Sequence, residues 1–140
     1  MSVREQNLET ISPIFATFGI HQTGGADDLA DEHIGLAVTL TGDFEVGPCT
    51  DESLLLGKLI ALTLSDIDSG KRVATVQIGG VMSLPIITTY PAVGDRVVGG
   101  ASGSVKKAPA LSGYDPAGGN IARGTVLEVS GTSSCTLYLS

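Results

Sequence analysis

The chain has no tryptophan, and its aromatic residues amount to three phenylalanines and three tyrosines. Val, Ile, Leu and Ala must therefore build the core. Few rings are left for the exposed aromatic platforms with which a β-scaffold usually grips sugars. Cations are also sparse. Eight Lys and Arg stand against fifteen Asp and Glu, a formal net charge of −7. That balance disfavours nucleic acid, whose phosphates need Lys and Arg to neutralise them, and an anionic membrane surface. No apolar run has the length of a membrane span. The first residues carry no apolar signal core, so synthesis in a reducing compartment is expected, with Cys49 and Cys135 as free thiols.

Catalytic signals are equally thin. The two histidines, His21 and His33, both lie in the irregular first third, and no serine sits in a G-x-S-x-G turn. Nucleophilic catalysis needs a base beside the nucleophile, and the sequence offers no such pairing. The acidic run Asp27, Asp28, Asp31, Glu32 has no fixed ligand spacing and reads as a solvated linker. Asp66-Ile-Asp68-Ser-Gly70 begins like a calcium loop. Its glycine comes one position early, however, and its twelfth residue is the neutral Gln77, so a hairpin turn is expected. Gly99-Gly-Ala-Ser-Gly-Ser-Val-Lys106 is glycine-rich without being a phosphate loop. The reading is no enzyme, with no catalytic residue, cofactor, metal or small-molecule substrate.

Glycine is abundant, with nineteen in 140 residues. Three apolar runs open on one: Gly35–Leu40, Gly57–Leu64 and Gly124–Val129. Each alternates with period two, the mark of a half-buried strand. The second and third are followed, after a polar turn, by return runs Ala74–Ile78 and Cys135–Leu139. These predict hairpins closed by residues 65–70 and 130–134. Gly79-Gly80 interrupts a longer run from Arg72 to Leu84 and predicts a bulge or a bend at a barrel corner. The fold class is all-β: a small barrel or sandwich of glycine-turned hairpins with an irregular N-terminal arm. Leu36, Val38, Ile60, Leu62, Val76, Ile78, Leu127, Val129, Leu137 and Leu139 are expected inside. Lys58, Gln77, Glu128 and Tyr138 are expected outside.

Residues 1–33 differ from the remaining 34–140. They hold one apolar patch, Ile11, Ile14, Phe15 and Phe18, spaced for one face of a short helix capped by Ser12-Pro13, or lying in an extended arm. Either the patch packs on its own domain or it reaches a neighbouring subunit. The arm is favoured, because two of the three Phe residues lie here, away from the strands. Ile11, Ile14, Phe15 and Phe18, with the loop residues Tyr90 and Tyr114, are the candidate interface residues.

The ordered segments Ile34–Phe44, Leu56–Ala61, Val76–Pro85, Val93–Val97 and Ala122–Glu128 resemble those of capsid cement, or head decoration, proteins of tailed bacteriophages. The resemblance spans about residues 34–139 and leaves residues 1–33 unmatched. It implies a small β-tulip-like decoration domain made in the host cytoplasm and placed on the outer surface of the virion head. Its partner would be the major capsid protein, and it would commonly be a homotrimer. Two other readings stay open: a small tail or baseplate adaptor barrel, and a virion-displayed carbohydrate-binding module.

Overall fold

A computed structural model describes residues 13–64, 71–109 and 121–139. The protein is all-β, and among these residues there is no α-helix, only two three-residue 3₁₀ turns and a 3₁₀ residue at Ile121. Eleven strands are described. They are β1 (Ile14–Ile20), β2 (Gln22–Thr23), β3 (Ala26–Asp27), β4 (Ala37–Gly42), β5 (Glu45–Pro48) and β6 (Gly57–Leu64). The rest are β7 (Arg72–Pro85), β8 (Val97–Gly100), β9 (Ser104–Lys107), β10 (Thr125–Ser130) and β11 (Ser134–Leu139).

A small barrel closes in the order β1-β5-β4-β6-β7 and back to β1. Closure removes the sheet edges that would otherwise invite pairing with other chains. The long strand β7 serves two halves of the molecule. Its residues Ala74–Gly79 pair with β1, and Gly80–Pro85 pair with β11, which in turn pairs with β10. The change of partner falls at Gly79-Gly80, where the sequence predicts a corner. Gly80 has φ +95°, a conformation that β-carbon-bearing residues rarely adopt. The side-chain amide of Gln77 donates to the carbonyls of Gly79 and Val81, both at 3.1 Å, and so ties the bend from within. That explains why Gln77 is buried, against the expectation that it faces outward.

Two large cores follow from the two halves, beside a small third cluster of Val98, Ala108 and Ala122. The barrel encloses Phe18, Ile20, Leu29, Val38, Val46, Leu59, Ala74 and Val76. The second core joins Ala37, Cys49, Leu55, Met82, Leu84, Ile86, Val97, Val105, Val126, Cys135, Leu137 and Leu139. β4 runs between them: Ala37 points into one and Val38 into the other, and both are fully buried. The expected split of β4 into an inner and an outer face therefore fails. Leu36 is half-buried and Leu40 is exposed.

Two bulges correct the expected register elsewhere. Between Leu59 and Ala61 the pairing to β7 advances by one on one strand and two on the other, from Leu59↔Val76 to Ala61↔Thr75. Ile60 and Leu62 are thus only half-buried, while Leu59 takes the core position. In β10 the pairing steps from Val126↔Leu137 to Glu128↔Thr136. Val126 is buried, and Leu127, expected inside, is exposed. Ile78 and Val129, also expected inside, are half-buried, as are Lys58 and Glu128, expected outside. Val38, Val76, Leu137 and Leu139 are buried and Tyr138 is exposed, as read.

The N-terminal reading is corrected for the residues described. Ile14–Ile20 is a strand, not a helix. It is the stave that closes the barrel, antiparallel to β7 and parallel to β5 through Gly19↔Glu45 and Ile20↔Val46. Residues 14–33 are therefore no detached arm. Gly24-Gly25 turns the two-residue hairpin β2–β3, with both glycines at positive φ. Leu29, 1% exposed, then inserts into the barrel core. Ile11 and Ser12, Tyr114, and the turn at 65–70 with its Asp66 and Asp68, lie outside the described residues.

The β8–β9 hairpin is fastened by Arg123, whose guanidinium donates to the carbonyls of Leu55 (2.8 Å) and Leu56 (3.1 Å). Its backbone exchanges hydrogen bonds with Val97. Cys135 is a small core residue, as expected. Cys49, for which the sequence suggests no role, is another.

Candidate docking surface

β4 and β5 meet in a tight turn at Gly42-Asp43-Phe44. Phe44 adopts φ +50°, a left-handed conformation unusual for a bulky residue, and it is 79% exposed. Its ring stacks on that of Phe18, centroids 6.3 Å apart and planes 28° from parallel. Alternation along β1 aims Phe18 and Ile20 inward and leaves Phe15 and Thr17 outside. The turn and β1 thus wall a cavity of about 530 Å³ lined by Phe18, Leu40, Gly42, Asp43, Phe44 and Leu56. It is an apolar recess open to solvent, with a carboxylate in its wall. Further along β1, Ile14 and Phe15 are also exposed. Ile14 lies over Gly79, where a β-carbon would meet its Cδ1 at 3.2 Å.

The candidate interface residues divide accordingly. Phe18 forms the cavity floor and is buried. Ile14 and Phe15 are exposed on the outer part of β1. Tyr90 is exposed in the loop between β7 and β8, beside the β8–β9 hairpin, where the Lys107 amide donates to the Thr89 carbonyl. It takes no part in the cavity. Ile11 and Tyr114 are outside the described residues. Leu40, Phe44 and Leu56 were not singled out from the sequence. A phenylalanine directly after Gly42-Asp43, in a turn, was the available signal.

A second cavity, about 420 Å³, is polar and lined by His21, Gln22, Asp27, Glu45, Lys71 and Arg72 among others. His21 Nδ1 lies 2.6 Å from Asp28 Oδ2, and the Asp28 amide donates to the His21 carbonyl. The hydrogen bond to Asp28 holds the His21 pKa above its ordinary value and the Asp28 pKa below its own. This pairing of a histidine with a carboxylate counts against the expectation of no catalytic site. Among the described residues lining the cavity none carries a hydroxyl or thiol, and the hydroxyl beside the pair is that of Thr23, which hydrogen-bonds Asp28. Arg72 pairs with Asp31 at 2.5 Å, so the acidic run is fastened to the barrel instead of being a free linker. His33 accepts the Ala30 amide on its Nδ1 and braces the 3₁₀ turn Asp31–His33. Among the described residues no cluster of three metal-ligating side chains forms, and no helix is long and apolar enough to cross a membrane.

No protein-family model matches the chain, and neither a curated protein nor a solved structure matches it.

Proposed function

We propose that this chain is a structural virion protein that binds the outer surface of a phage head and stabilises the capsid lattice, with the major capsid protein as partner. The observation that carries the reading is the ordered set of segments from Ile34 to Glu128 that resembles head decoration proteins. Four of those five segments map onto strands of the all-β fold, namely β4 and its turn, the start of β6, β7 from Val76 to its end, and the first part of β10, while Val93–Val97 is the loop that leads into β8. Exposed apolar residues, chiefly Ile14, Phe15, Leu40 and Phe44, supply contact surface without opening either core. A lattice binder needs little affinity per copy, since many copies, or the linked sites of a trimer, add through multivalency. A homotrimeric state is part of the proposal, and so is the absence of catalysis.

The test is to add purified protein to heads assembled without it. Saturable binding at a fixed copy number, with a rise in the temperature at which heads rupture, is the expected result. Binding to tails alone would favour the adaptor reading, and binding to purified polysaccharide alone the carbohydrate module.

A further inference from the structure

The strongest unexplained feature of the surface is Phe44. It combines three properties that seldom coincide: a large ring, high exposure and a left-handed backbone. Strain of this kind persists where the surrounding structure enforces it, and it collects at functional positions. Here the Gly42–Glu45 turn enforces it, and Thr41 Oγ1 donates to Glu45 Oε1 across the turn at 3.3 Å. The ring forms the lip of the 530 Å³ apolar cavity, a volume within the range of specific recognition sites.

Among the described residues that line this recess, Asp43 alone is charged, whereas its neighbour Glu45 lines the polar cavity beside His21. The chain as a whole carries −7. A second copy would bring like charge to the same place, whereas a cationic partner would be attracted.

We propose that Phe44 and its cavity form a socket for an apolar side chain on a protein segment flanked by lysine or arginine. This deepens the head-binding reading and rests on it: the segment would belong to the capsid subunit. The apolar side chain enters between Phe18, Leu40, Phe44 and Leu56, and the flanking cation meets Asp43. Burial in the recess supplies affinity, and the acidic lip sets orientation and rejects acidic segments.

Two measurements test it. The first titrates isotope-labelled protein with a short Leu- and Phe-containing peptide flanked by lysines, and with the same peptide flanked by glutamates, following amide resonances. The lysine peptide should shift Leu40–Glu45 and Phe18, the glutamate peptide should not, and added salt should weaken the response. No shift at the turn, or equal shifts with both peptides, overturns the socket whatever the heads do. Shifts at the turn that depend on protein concentration alone would assign the cavity to a second copy and overturn the choice of partner. The second measurement compares wild type, Phe44→Asn and Asp43→Asn on undecorated heads. Asparagine tolerates the left-handed backbone, so Phe44→Asn should keep the wild-type melt while binding at least tenfold more weakly. Asp43→Asn should bind severalfold more weakly, with a shallower salt dependence. Wild-type affinity in both variants overturns the socket and leaves head binding standing. Failure of the wild type to bind overturns head binding, and the peptide titration then decides the socket alone.

Discussion

Alanine at position 57 should damage this fold more than its single added methyl suggests. Gly57 opens β6, where Gly57 pairs with Val38 and its neighbour Lys58 pairs with Gln77. A β-carbon there would lie 2.1 Å from the Gln77 carbonyl oxygen, 2.9 Å from its carbon and 3.0 Å from Val76 Cγ1. The first two are backbone atoms of β7, and Gln77 is itself held by its bonds to Gly79 and Val81, so relief requires moving a central strand. Overpacking of this kind costs about 1–3 kcal/mol, and a backbone obstacle places it near the upper end. In a chain of this size that is a fall in Tm of roughly 10 °C. Gly19 is the control. Its backbone is not left-handed, and a β-carbon would meet nothing nearer than the Phe44 carbonyl at 3.5 Å. Gly19→Ala should be neutral or slightly stabilising, because it restricts the unfolded chain. Calorimetry on the two variants decides the matter. Equal melting of Gly57→Ala and Gly19→Ala would refute the close approach of β6 to β7.

The bulge in β10 is tested by a pair of leucines: Leu137→Ala should cost about 2–5 kcal/mol in chemical denaturation, and Leu127→Ala well under 1. Near-equal losses would restore the unbulged register. The His21–Asp28 pair should help stability most between about pH 3.8 and 6.5, the ordinary values of the two groups. The raised His21 pKa makes its contribution complete below 6.5 and lost as pH climbs through the folded value. The lowered Asp28 pKa makes its own contribution complete above 3.8 and lost as pH falls through the folded value. In Asp28→Asn, the His21 titration followed by NMR should move back toward 6.5, and no movement would refute the pairing. Burial pushes the Cys49 thiol up to about 12 and the Cys135 thiol up to about 11, so neither should react with iodoacetamide at pH 8 until the protein is denatured. Rapid native labelling would show that the second core opens.

The hairpins were legible because local signals agree within them. In β6–β7 and β10–β11, alternation, β-branched residues and polar turns all act within a few residues, and the antiparallel pairing is found where the turns predict it. The bulges were not legible, since one extra residue changes which side chain faces inward without changing composition. Leu59 and Ile60, or Val126 and Leu127, are interchangeable by hydrophobicity. Only the partner strand decides between them. Nor could alternation describe β4, because a strand covered on both sides buries Ala37 and Val38 alike.

The N-terminal strand misled for a different reason. Ile11, Ile14, Phe15 and Phe18 satisfy a helical spacing, while Ala16, Phe18 and Ile20 satisfy a strand spacing over the same stretch. What selects the strand is non-local: β1 fits between β5 and the first half of β7, and its parallel contact with β5 has no turn to announce it. The same placement creates the cavity. Phe18 belongs to the candidate patch read from the sequence, but Phe44 lies 26 residues further on and meets it only because β1 and β5 are neighbours. Once β1 is a barrel stave, Phe18 of the patch goes to the core, Ile14 and Phe15 stay exposed, and the turn that caps Phe18 adds to the surface left for a partner. A deletion of residues 1–30 would therefore be a poor test of docking, since it removes a stave of the barrel and Leu29 from its core. Phe44→Asn removes the lip of the cavity and leaves every strand in place.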